Sequence, residues 1–592
     1  MLTSLTYPFD TDIILRKKKA IKRELLLSNP SRGINIAILG GSTTEEIKNI
    51  LELFLLKDGF LPSFYQSEYN KFYEDAVFNN EELKAFKPDV ILIHTSEVNI
   101  TQYPKITDNE EDINRLLLNE VDKFKSIWKS LLRYDCAIIQ NNFDLPINRS
   151  LGNLDCYDIH GKTLFISKLN LEFSKCAQEI KNLYLNDINY LSAALGLKNW
   201  FDRNLWHSAK YAINFDSIPM YAQQIASIIN AINGNSKKCL VLDLDNTCWG
   251  GVIGDDGIDG ICLGSETAQG ESFMYFQNYV KELKDRGVIL AVSSKNEHEL
   301  AKEGFTHPDS ILKFEDFTSF KANWNPKSEN ISAIATSINI GLDSLVFIDD
   351  NSVEREIVSA QLPSVSVPDV GNDVYNFVDH IEKNVFFETV SLSNDDINRN
   401  KFYKDNSTRV EQQSLFENYD DFLKSLEMVA EVKAFESLYL DRITQLINKT
   451  NQFNLTTKRH TIGEIESISS SEEYIKLYGK LADKFGDNGL ISILIGKIKT
   501  NICHIDLWLM SCRVLKRNME HAMLDALVEQ CINQNISTII GYYYKTPKNN
   551  MVAKFYETLG FTIVEQHGED TIWKLELKNY DKKNNIIQIK NE

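Results

Sequence analysis

The chain has 592 residues, which is too long for one hydrophobic core and predicts roughly three to five domains. Its composition, 43% hydrophobic and 25% charged, is typical of a soluble globular protein. The formal net charge of -19 is spread along the chain, which disfavours nucleic acid or an anionic membrane as the main partner.

The nine cysteines are scattered and form no CxxC pair, so the sequence shows neither a zinc-binding pattern nor a disulfide framework. The first residues lack the charged-then-apolar order of a signal peptide. No apolar run approaches the ~18 residues that a membrane span needs. We therefore expect a cytoplasmic protein with no nucleic-acid or membrane partner.

The first predicted domain, residues 1–235, alternates apolar strand-like runs with amphipathic helical stretches. The predicted elements are strands at 34–39, 90–93 and 137–139 and helices near 111–132 and 219–233. Strands that alternate with helices are typical of a parallel α/β sheet.

The second predicted domain, residues 236–385, contains three short apolar runs that end in polar residues. These runs are 240–242 before Asp243, 288–292 before Ser293 and Ser294, and 345–348 before Asp349 and Asp350. Amphipathic helices separate the runs, so we expect parallel strands whose carboxyl ends meet at the ligand-binding edge of an open α/β sheet. That arrangement gathers Asp243, Asp245, Ser294, Asp349 and Asp350 into one site.

Asp243 and Asp245 are two carboxylates two residues apart after a buried strand. Burial of both on one strand face would place two negative charges side by side, which is unfavourable. A bound cation and a phosphoryl substrate remove this conflict, with one carboxylate attacking phosphorus and the other transferring a proton. An Asp-rich turn after a strand is the alternative that this short motif leaves open.

The remaining chain is predicted to contain a helical linker, residues 386–430, and a last domain, residues 431–580. The predicted elements of that domain are strands at 491–498, 502–509 and 538–543 and a helix from about 519 to 532.

Several motifs resemble those of known families. Asp243-x-Asp245-x-Thr247, a later Ser294, Lys327 and Asp349-Asp350 match, in order, the four motifs of the haloacid dehalogenase superfamily of phosphatases. The wider pattern is similar to the FkbH-like subfamily. It comprises 241–254, Ser294-Lys295-Asn296, Asn323-Trp324, 347–351, 449–457, 485–489 and 511–514.

This resemblance implies roles for the site residues. Asp243 is expected to form an aspartyl-phosphate, and Asp245 to protonate the leaving oxygen and then activate water. Mg²⁺ is expected to bind Asp243, Asp349 and the backbone carbonyl of Asp245. Lys327 and Ser294 are expected to bind the transferring phosphoryl group. Four further residues are expected to contact substrate: Thr247, Ser293, Lys295 and Asn296.

The family resemblance also implies a reaction. FkbH-like proteins take a glyceryl group from 1,3-bisphosphoglycerate, remove phosphate, and load the glyceryl unit onto an acyl carrier protein. In loading members the acyl group rests on a cysteine just before the Ser-Lys-Asn triplet, where this chain has Ser293. A serine hydroxyl without a paired base is a poor acyl acceptor at neutral pH, which brings glyceryl transfer into question. Cys248 is either a substitute thiol or a small buried residue.

Three functions therefore stay open for the central domain. One is a Mg²⁺-dependent phosphatase and glyceryl transferase that serves an acyl carrier protein, and the second is a phosphomonoesterase of a sugar or another small metabolite. The third is a non-enzymatic carrier-docking module with a vestigial site, which the complete motif set disfavours. The segment after the first motif is short and glycine-rich, which leaves no room for a separate cap domain and predicts an open site.

The first domain carries a weaker resemblance. Gly40-Gly41-Ser42-Thr43, at a predicted strand end, is similar to the nucleophile block of SGNH esterases, so we expect an SGNH-like or flavodoxin-like α/β fold. Ser42 and His207 would be the esterase-like pair. The alternative is that Ser42 caps a helix.

The last domain resembles the GNAT acetyltransferases through segments 543–549 and 555–561. Lys516 and Asn518 stand where FkbH-like relatives carry glycines, which argues against close approach of the backbone to a coenzyme A pyrophosphate. We expect a GNAT-like α+β domain that is not an acetyltransferase.

Overall fold

The computed structural model describes residues 2–413, 415–511, 514–546 and 548–590. Cys512 and Arg513 of the FkbH-like segment 511–514, and Pro547 of the GNAT-like segment 543–549, lie outside the described residues. The chain divides into two units, Met1–Ile232 and Asn233–Glu592. Among the described helices, none combines the length and the apolar character needed to cross a membrane. The predicted boundaries at 385/386 and 430/431 stay predictions.

The first unit is built on a parallel sheet with strand order β2-β1-β3-β4-β5, the doubly wound order of flavodoxin-like folds. Helices cover both faces, and β3 is accordingly buried along its whole length. The predicted parallel α/β sheet is therefore confirmed. The strands are β1 Arg32–Gly40, β2 Phe60–Gln66, β3 Val90–His94, β4 Ala137–Asn141 and β5 Leu183–Asn186. The helices are α1 Thr11–Leu26, α2 Glu45–Lys57, α3 Phe72–Val77, α4 Glu81–Phe86, α5 Glu110–Leu131, α6 Lys162–Glu179, α7 Ile188–Leu195, α8 Leu197–Trp200, α9 Arg203–Ala209 and α10 Ile218–Ile232.

The second unit begins with a parallel sheet of order β8-β7-β6-β9. Alternate residues of β6 enter two different cores, since Leu240 packs on one side of the sheet and Val241 on the other. The strands are β6 Cys239–Leu242, β7 Ile289–Ser294, β8 Ser319–Ala322 and β9 Leu345–Ile348. The helices are α11 Ile253–Asp256, α12 Ala268–Asp285, α13 His298–Glu303, α14 Lys327–Ser337, α15 Ser352–Gln361 and α16 Phe377–Lys383.

Three helices lead to the last sheet: α17 Asn394–Ile397, α18 Arg399–Gln413 and α19 Tyr419–Ser425. Asp396 on α17 is buried and accepts hydrogen bonds from Arg399 and from Lys449 Nζ, the latter at 3.0 Å. Burial raises the pKa of Asp396, but the two cations outweigh it and hold this pKa well below the usual range. Arg399 also donates to the Gly287 carbonyl at 3.2 Å, so this ion pair connects the two sheets of the unit.

The last sheet has strand order β15-β16-β14-β13-β12-β11-β10-β17. Two pairs are parallel, β13 with β14 inside the sheet and β10 with β17 at its edge, and the other neighbours are antiparallel. Two helices lie between β10 and β11, as in a GNAT-like α+β fold. The predicted fold class is thereby confirmed. The strands are β10 Val429–Ala434, β11 Tyr474–Asp483, β12 Gly486–Lys499, β13 Ile502–Met510, β14 Thr538–Tyr543, β15 Thr562–His567, β16 Asp570–Glu576 and β17 Gln588–Ile589. The helices are α20 Leu440–Lys449, α21 Ile462–Ser470, α22 Met519–Asn533 and α23 Phe555–Thr558.

Candidate functional site

Three carboxylates meet at the carboxyl edge of the four-stranded sheet. Asp243, Asp349 and Asp350 each offer an oxygen, and these oxygens lie within 4.8 Å of one another. Asp243 follows β6 and Asp349 follows β9, and the two strands pair with Leu242 opposite Ile348. Strand register therefore brings together residues that are more than a hundred positions apart in the sequence.

Lys327 is the cation that faces this cluster. It is the first residue of α14, it is buried, and its Nζ lies 2.8 Å from Asp243 Oδ2 and 2.5 Å from Asp349 Oδ2. Burial lowers the pKa of Lys327, but the two carboxylates outweigh that effect and the net pKa is raised. One ammonium group thus stands against three carboxylates.

The cluster fits a divalent cation. Burial, reinforced by the charge of Asp243, raises the pKa of Asp349 to about 7, and burial also raises the pKa of Asp350. Asp243 Oδ1 is buried and has no hydrogen-bond partner among the described residues. Clustered carboxylate oxygens with uncompensated charge are the donor set that Mg²⁺ prefers.

Asp245 lies apart from this cluster. Its Oδ1 accepts hydrogen bonds from Trp249 Nε1 at 3.0 Å and from the Ile253 backbone N–H at 3.2 Å, and its Oδ2 accepts one from Asn296 Nδ2 at 2.8 Å. Burial raises the pKa of Asp245, and these hydrogen bonds oppose the rise without cancelling it. Because β6 ends at Leu242, Asp243 and Asp245 do not compete for the same environment.

The other predicted site residues have partners within the protein. Ser294 is buried, and its Oγ accepts a hydrogen bond from Asn296 at 3.3 Å. Thr247 Oγ1 accepts from the Asp350 backbone N–H at 3.2 Å, so it holds the turn after β9. Lys295 is exposed and forms a salt bridge with Glu354 at 2.5 Å. Their predicted contacts with substrate stay predictions.

Neither candidate for an acyl acceptor is accessible. Ser293 follows Val292, which pairs with Leu242, so it lies beside Asp243; its Oγ is fully buried and has no partner in the described chain. Cys248 is fully buried, its Sγ lies 3.3 Å from the Asp243 carbonyl oxygen, and burial raises its pKa far above the usual thiol range. A thiolate at position 248 is therefore strongly disfavoured.

The sequence did not reveal which residues hold the site in place. Arg355 is buried and its Nη1 donates to the carbonyls of Asp349 and Asp350 at 2.7 and 2.8 Å, which fixes the turn after β9. Trp249 orients Asp245, as described above. The only sequence signal for the Arg355 contact was an arginine one turn into the helix after an Asp-Asp pair. No local pattern indicated the contact between Trp249 and Asp245.

The predicted esterase-like residues of the first unit are Ser42 and His207. Ser42 is buried, with 2% of its surface exposed, and its Oγ has no hydrogen-bond partner among the described residues. His207 is exposed on α9, and no hydrogen bond joins it to Ser42 in the described part of the chain. Ser42 does not cap α2 either, because the N-cap position is Thr44 and it makes no side-chain cap bond. The esterase role stays a prediction.

In the last domain, β13 and β14 pair only through Ile502–Ile505 and then diverge. The chain's own segment 453–455 fills the gap. Within it, the Leu455 N–H donates to the Trp508 carbonyl at 3.1 Å and its carbonyl accepts from the Tyr544 N–H at 2.9 Å. Leu455 thus bonds one group of β13 and the residue that follows β14, where the two strands diverge.

The turn before α22 has a glycine-like backbone although it contains no glycine. Lys516 and Asn518 have φ angles of 64° and 60°, the left-handed conformation that glycine adopts most easily. The turn therefore keeps the backbone that glycines would favour while it carries side chains. The prediction that this domain is not an acetyltransferase stays a prediction.

Comparison with known proteins now places the chain. The family described as the FkbH N-terminal domain matches residues 35–230. The crystal structure of the N-terminal part of protein BF1531 from Bacteroides fragilis, containing a phosphatase domain complexed with Mg, is 31% identical. It covers 63% of this chain and 99% of its own, with a TM-score of 0.59. This chain belongs to the FkbH-like family.

The phosphatase domain of this FkbH-like protein is of the haloacid dehalogenase type. The ribosomal-protein-S18-alanine N-acetyltransferase of Escherichia coli is 11% identical over 26% of the chain and 99% of its own, with a TM-score of 0.21. The PaiA N-acetyltransferase of Thermoplasma acidophilum, in complex with coenzyme A, is 16% identical over 25% of the chain and 98% of its own, with a TM-score of 0.18. A search of curated proteins gave no match.

Proposed function

We propose that this FkbH-like protein is a Mg²⁺-dependent phosphatase whose nucleophile is Asp243. The observation that carries the proposal is the group of three carboxylates within 4.8 Å with Lys327 against two of them. Asp243 and Asp349 would hold the cation, with Asp350 close by, and the backbone carbonyl of Asp245 remains a predicted ligand. When bound, Mg²⁺ would supply positive charge that offsets repulsion between these carboxylates and the phosphate.

In the first step, a carboxylate oxygen of Asp243 attacks phosphorus while the bond from phosphorus to the leaving oxygen breaks. Asp245, in its protonated form, gives its proton to that oxygen. The raised pKa of Asp245 supports this role, because it favours the protonated form that a general acid needs. Lys327 and Ser294 would bind the oxygens of the transferring group, and the contact of Lys327 Nζ with Asp243 at 2.8 Å supports this role for the lysine.

In the second step, the ionised Asp245 takes a proton from water, and that water attacks the phosphorus of the aspartyl-phosphate. The bond from Asp243 to phosphorus breaks, which releases inorganic phosphate, restores the Asp243 carboxylate and leaves Asp245 protonated as it was at the start. Trp249 and Asn296 keep the Asp245 carboxylate in one orientation through both steps.

The substrate that family membership favours is a phosphoglyceryl compound, 1,3-bisphosphoglycerate. Glyceryl transfer to an acyl carrier protein is the second candidate function, favoured by the position of Ser293 beside Asp243, where loading members have cysteine. The burial of Ser293 and Cys248 supports hydrolysis instead of storage of an acyl group on the enzyme. A phosphomonoesterase of a sugar or another small metabolite is the alternative within the hydrolytic function.

The test is phosphate release from a panel of phosphometabolites that includes 1,3-bisphosphoglycerate, with and without a chelator and with and without holo-acyl carrier protein. The proposal predicts Mg²⁺-dependent release that is lost in Asp243→Asn and kept in Asp255→Asn, an exposed acid of α11. Glyceryl transfer predicts in addition a mass increase of the carrier. No release from any member of the panel would contradict the phosphatase proposal.

A further inference from the structure

Asp349 and Asp350 are consecutive residues, and yet both offer an oxygen to the same cluster. Together with an oxygen of Asp243, these oxygens lie within 4.8 Å of one another. In a strand the side chains of neighbouring residues point to opposite faces, so two consecutive aspartates could not both reach one cation. The strand β9 ends at Ile348, directly before the pair. The chain must therefore leave the strand conformation at Asp349 for both carboxylates to meet.

The Arg355 side chain holds the backbone in this departure from the strand. Its Nη1 donates to the carbonyl oxygen of Asp349 at 2.7 Å and to that of Asp350 at 2.8 Å. Successive carbonyls of a strand point in opposite directions, so two consecutive carbonyls share one donor only where the chain turns. Arg355 is buried one turn into α15, where a guanidinium without acceptors is strongly disfavoured. Its hydrogen bonds therefore favour the turned backbone over a continued strand.

Segment 369–371 holds the other side of the same guanidinium. Arg355 Nη1 also donates to the Gly371 carbonyl at 2.9 Å, and its Nη2 donates to Asp369 Oδ1 at 2.7 Å. That oxygen also accepts from the Gly371 N–H at 3.3 Å. The Asp369 side chain is 84% exposed, so its charge contributes little to stability. The planar fork of arginine thus connects this segment to the turn after β9.

The two carboxylates of the turn are held unequally. Lys327 Nζ lies 2.5 Å from Asp349 Oδ2, and Asp349 Oδ1 accepts from the Asn351 N–H at 2.9 Å. The Asp350 carboxylate has a weaker partner, since Thr247 Oγ1 donates to its Oδ1 at 3.4 Å. The direction of the Asp350 side chain therefore depends more on the backbone that Arg355 holds.

We propose that Arg355 is a positioning residue for Mg²⁺ binding, because it holds the carbonyls of Asp349 and Asp350 and so directs both carboxylates to one cation. This inference rests on the proposed Mg²⁺-dependent function and adds to it a residue that acts through the backbone of the metal site. Replacement of groups that orient metal ligands typically weakens metal binding about 10–100-fold. Loss of Arg355 should act on Mg²⁺ affinity chiefly through Asp350.

The experiment is a double-mutant cycle, measured by calorimetric titration of Mg²⁺ into the full-length protein without substrate. Arg355→Met should weaken Mg²⁺ binding about 10–100-fold. Asp350→Asn should weaken binding in wild type because it removes a carboxylate beside the cation, and its effect should be smaller by a factor of about five or more in the Arg355→Met protein. Arg355→Lys repeats the cycle with the buried positive charge kept, since an ammonium group lacks the planar fork.

Asp369→Asn is the matched control, because it removes a charge at the same guanidinium but keeps an acceptor oxygen. Its Mg²⁺ affinity should stay within about twofold of wild type. A merely structural role would lower the melting temperature of the Arg355 variants without coupling to Asp350. Additive losses, Arg355 variants with affinities within about twofold of wild type, or absence of Mg²⁺ binding by wild type would overturn the inference.

Mg²⁺ binding is measured without turnover, so this result is independent of the phosphatase assay. A protein that shows the coupling between Arg355 and Asp350 but releases no phosphate would contradict the proposed function and leave the positioning role in place.

Discussion

Lowering the pH should weaken Mg²⁺ binding through protonation of Asp349. This carboxyl group is fully buried beside Asp243, and its pKa is raised to about 7. A metal ligand must be deprotonated, so each pH unit below that value should weaken binding about tenfold. Between about pH 7 and pH 5 the loss is about a hundredfold, or roughly 2.7 kcal/mol at 1.36 kcal/mol per pH unit.

The raised pKa of Asp349 also makes the stability of the metal-free protein depend on pH. Because the pKa of Asp349 is higher in the folded than in the unfolded protein, its contribution to the free energy of unfolding is present below the unfolded pKa and is lost as pH rises through about 7. Mg²⁺ should therefore raise the melting temperature more at alkaline than at acidic pH.

The assay is calorimetric titration of Mg²⁺ at several pH values in wild type, Asp349→Asn and Asp255→Asn. In wild type and Asp255→Asn, the Mg²⁺ dissociation constant should rise about tenfold for each pH unit below about 7. Asp349→Asn should bind Mg²⁺ weakly, and most of this pH dependence should be lost. Equal wild-type dissociation constants at about pH 5 and pH 7 would refute this reasoning.

Four further predictions test other parts of the structure. Lys327→Met should lower the rate of phosphate release by a factor of about 10²–10³, because it removes the buried cation that faces the transferring group. Steady-state kinetics would measure this change, and an unchanged rate would contradict the role of Lys327. Asp396→Ala should lower the free energy of unfolding by about 3–5 kcal/mol because it leaves the cations that pair with Asp396 without their buried partner. The control Asp379→Ala removes an exposed ion pair and should lower the free energy of unfolding by less than about 1 kcal/mol. Equal losses in denaturant titrations would argue against a special role for the buried ion pair. Ser293→Cys should form no thioester with 1,3-bisphosphoglycerate because the side chain at position 293 is fully buried. Intact-mass measurement decides, and acylation of the variant would show that this position is accessible to the substrate and that only the missing thiol prevents acyl storage. Coenzyme A should show no heat of binding because Leu455 already bonds Trp508 and Tyr544 where β13 and β14 diverge, and micromolar affinity would contradict this.

The site at the carboxyl edge of the central sheet could be predicted from the sequence because short local patterns mark the residues that form it. Each apolar run ends in a polar residue, and parallel strands bring their ends together whatever the loops between them do. Asp243, Lys327 and Asp349 therefore meet as the motif order indicates. The sheet of the first unit follows from the same alternation of strands and helices.

Side-chain pairing could not be predicted because it depends on contacts between residues far apart in the sequence. Lys295 and Asn296 are adjacent in a motif, but one pairs with Glu354 on the surface and the other binds Asp245 inside. The burial of Ser42 likewise depends on packing that no local pattern encodes. Leu455 of segment 453–455 bonds Trp508 and Tyr544, which lie 53 and 89 positions later in the sequence.

The measurement that tests the central claim most directly is chemical trapping of the aspartyl-phosphate after rapid mixing with a phosphorylated substrate and Mg²⁺. Mass spectrometry of the digested protein should find the modification on Asp243 in wild type and in Asp255→Asn, and none in Asp243→Asn or without Mg²⁺. Phosphate release that persists at the wild-type rate in Asp243→Asn, or a modification on another residue, would contradict the account.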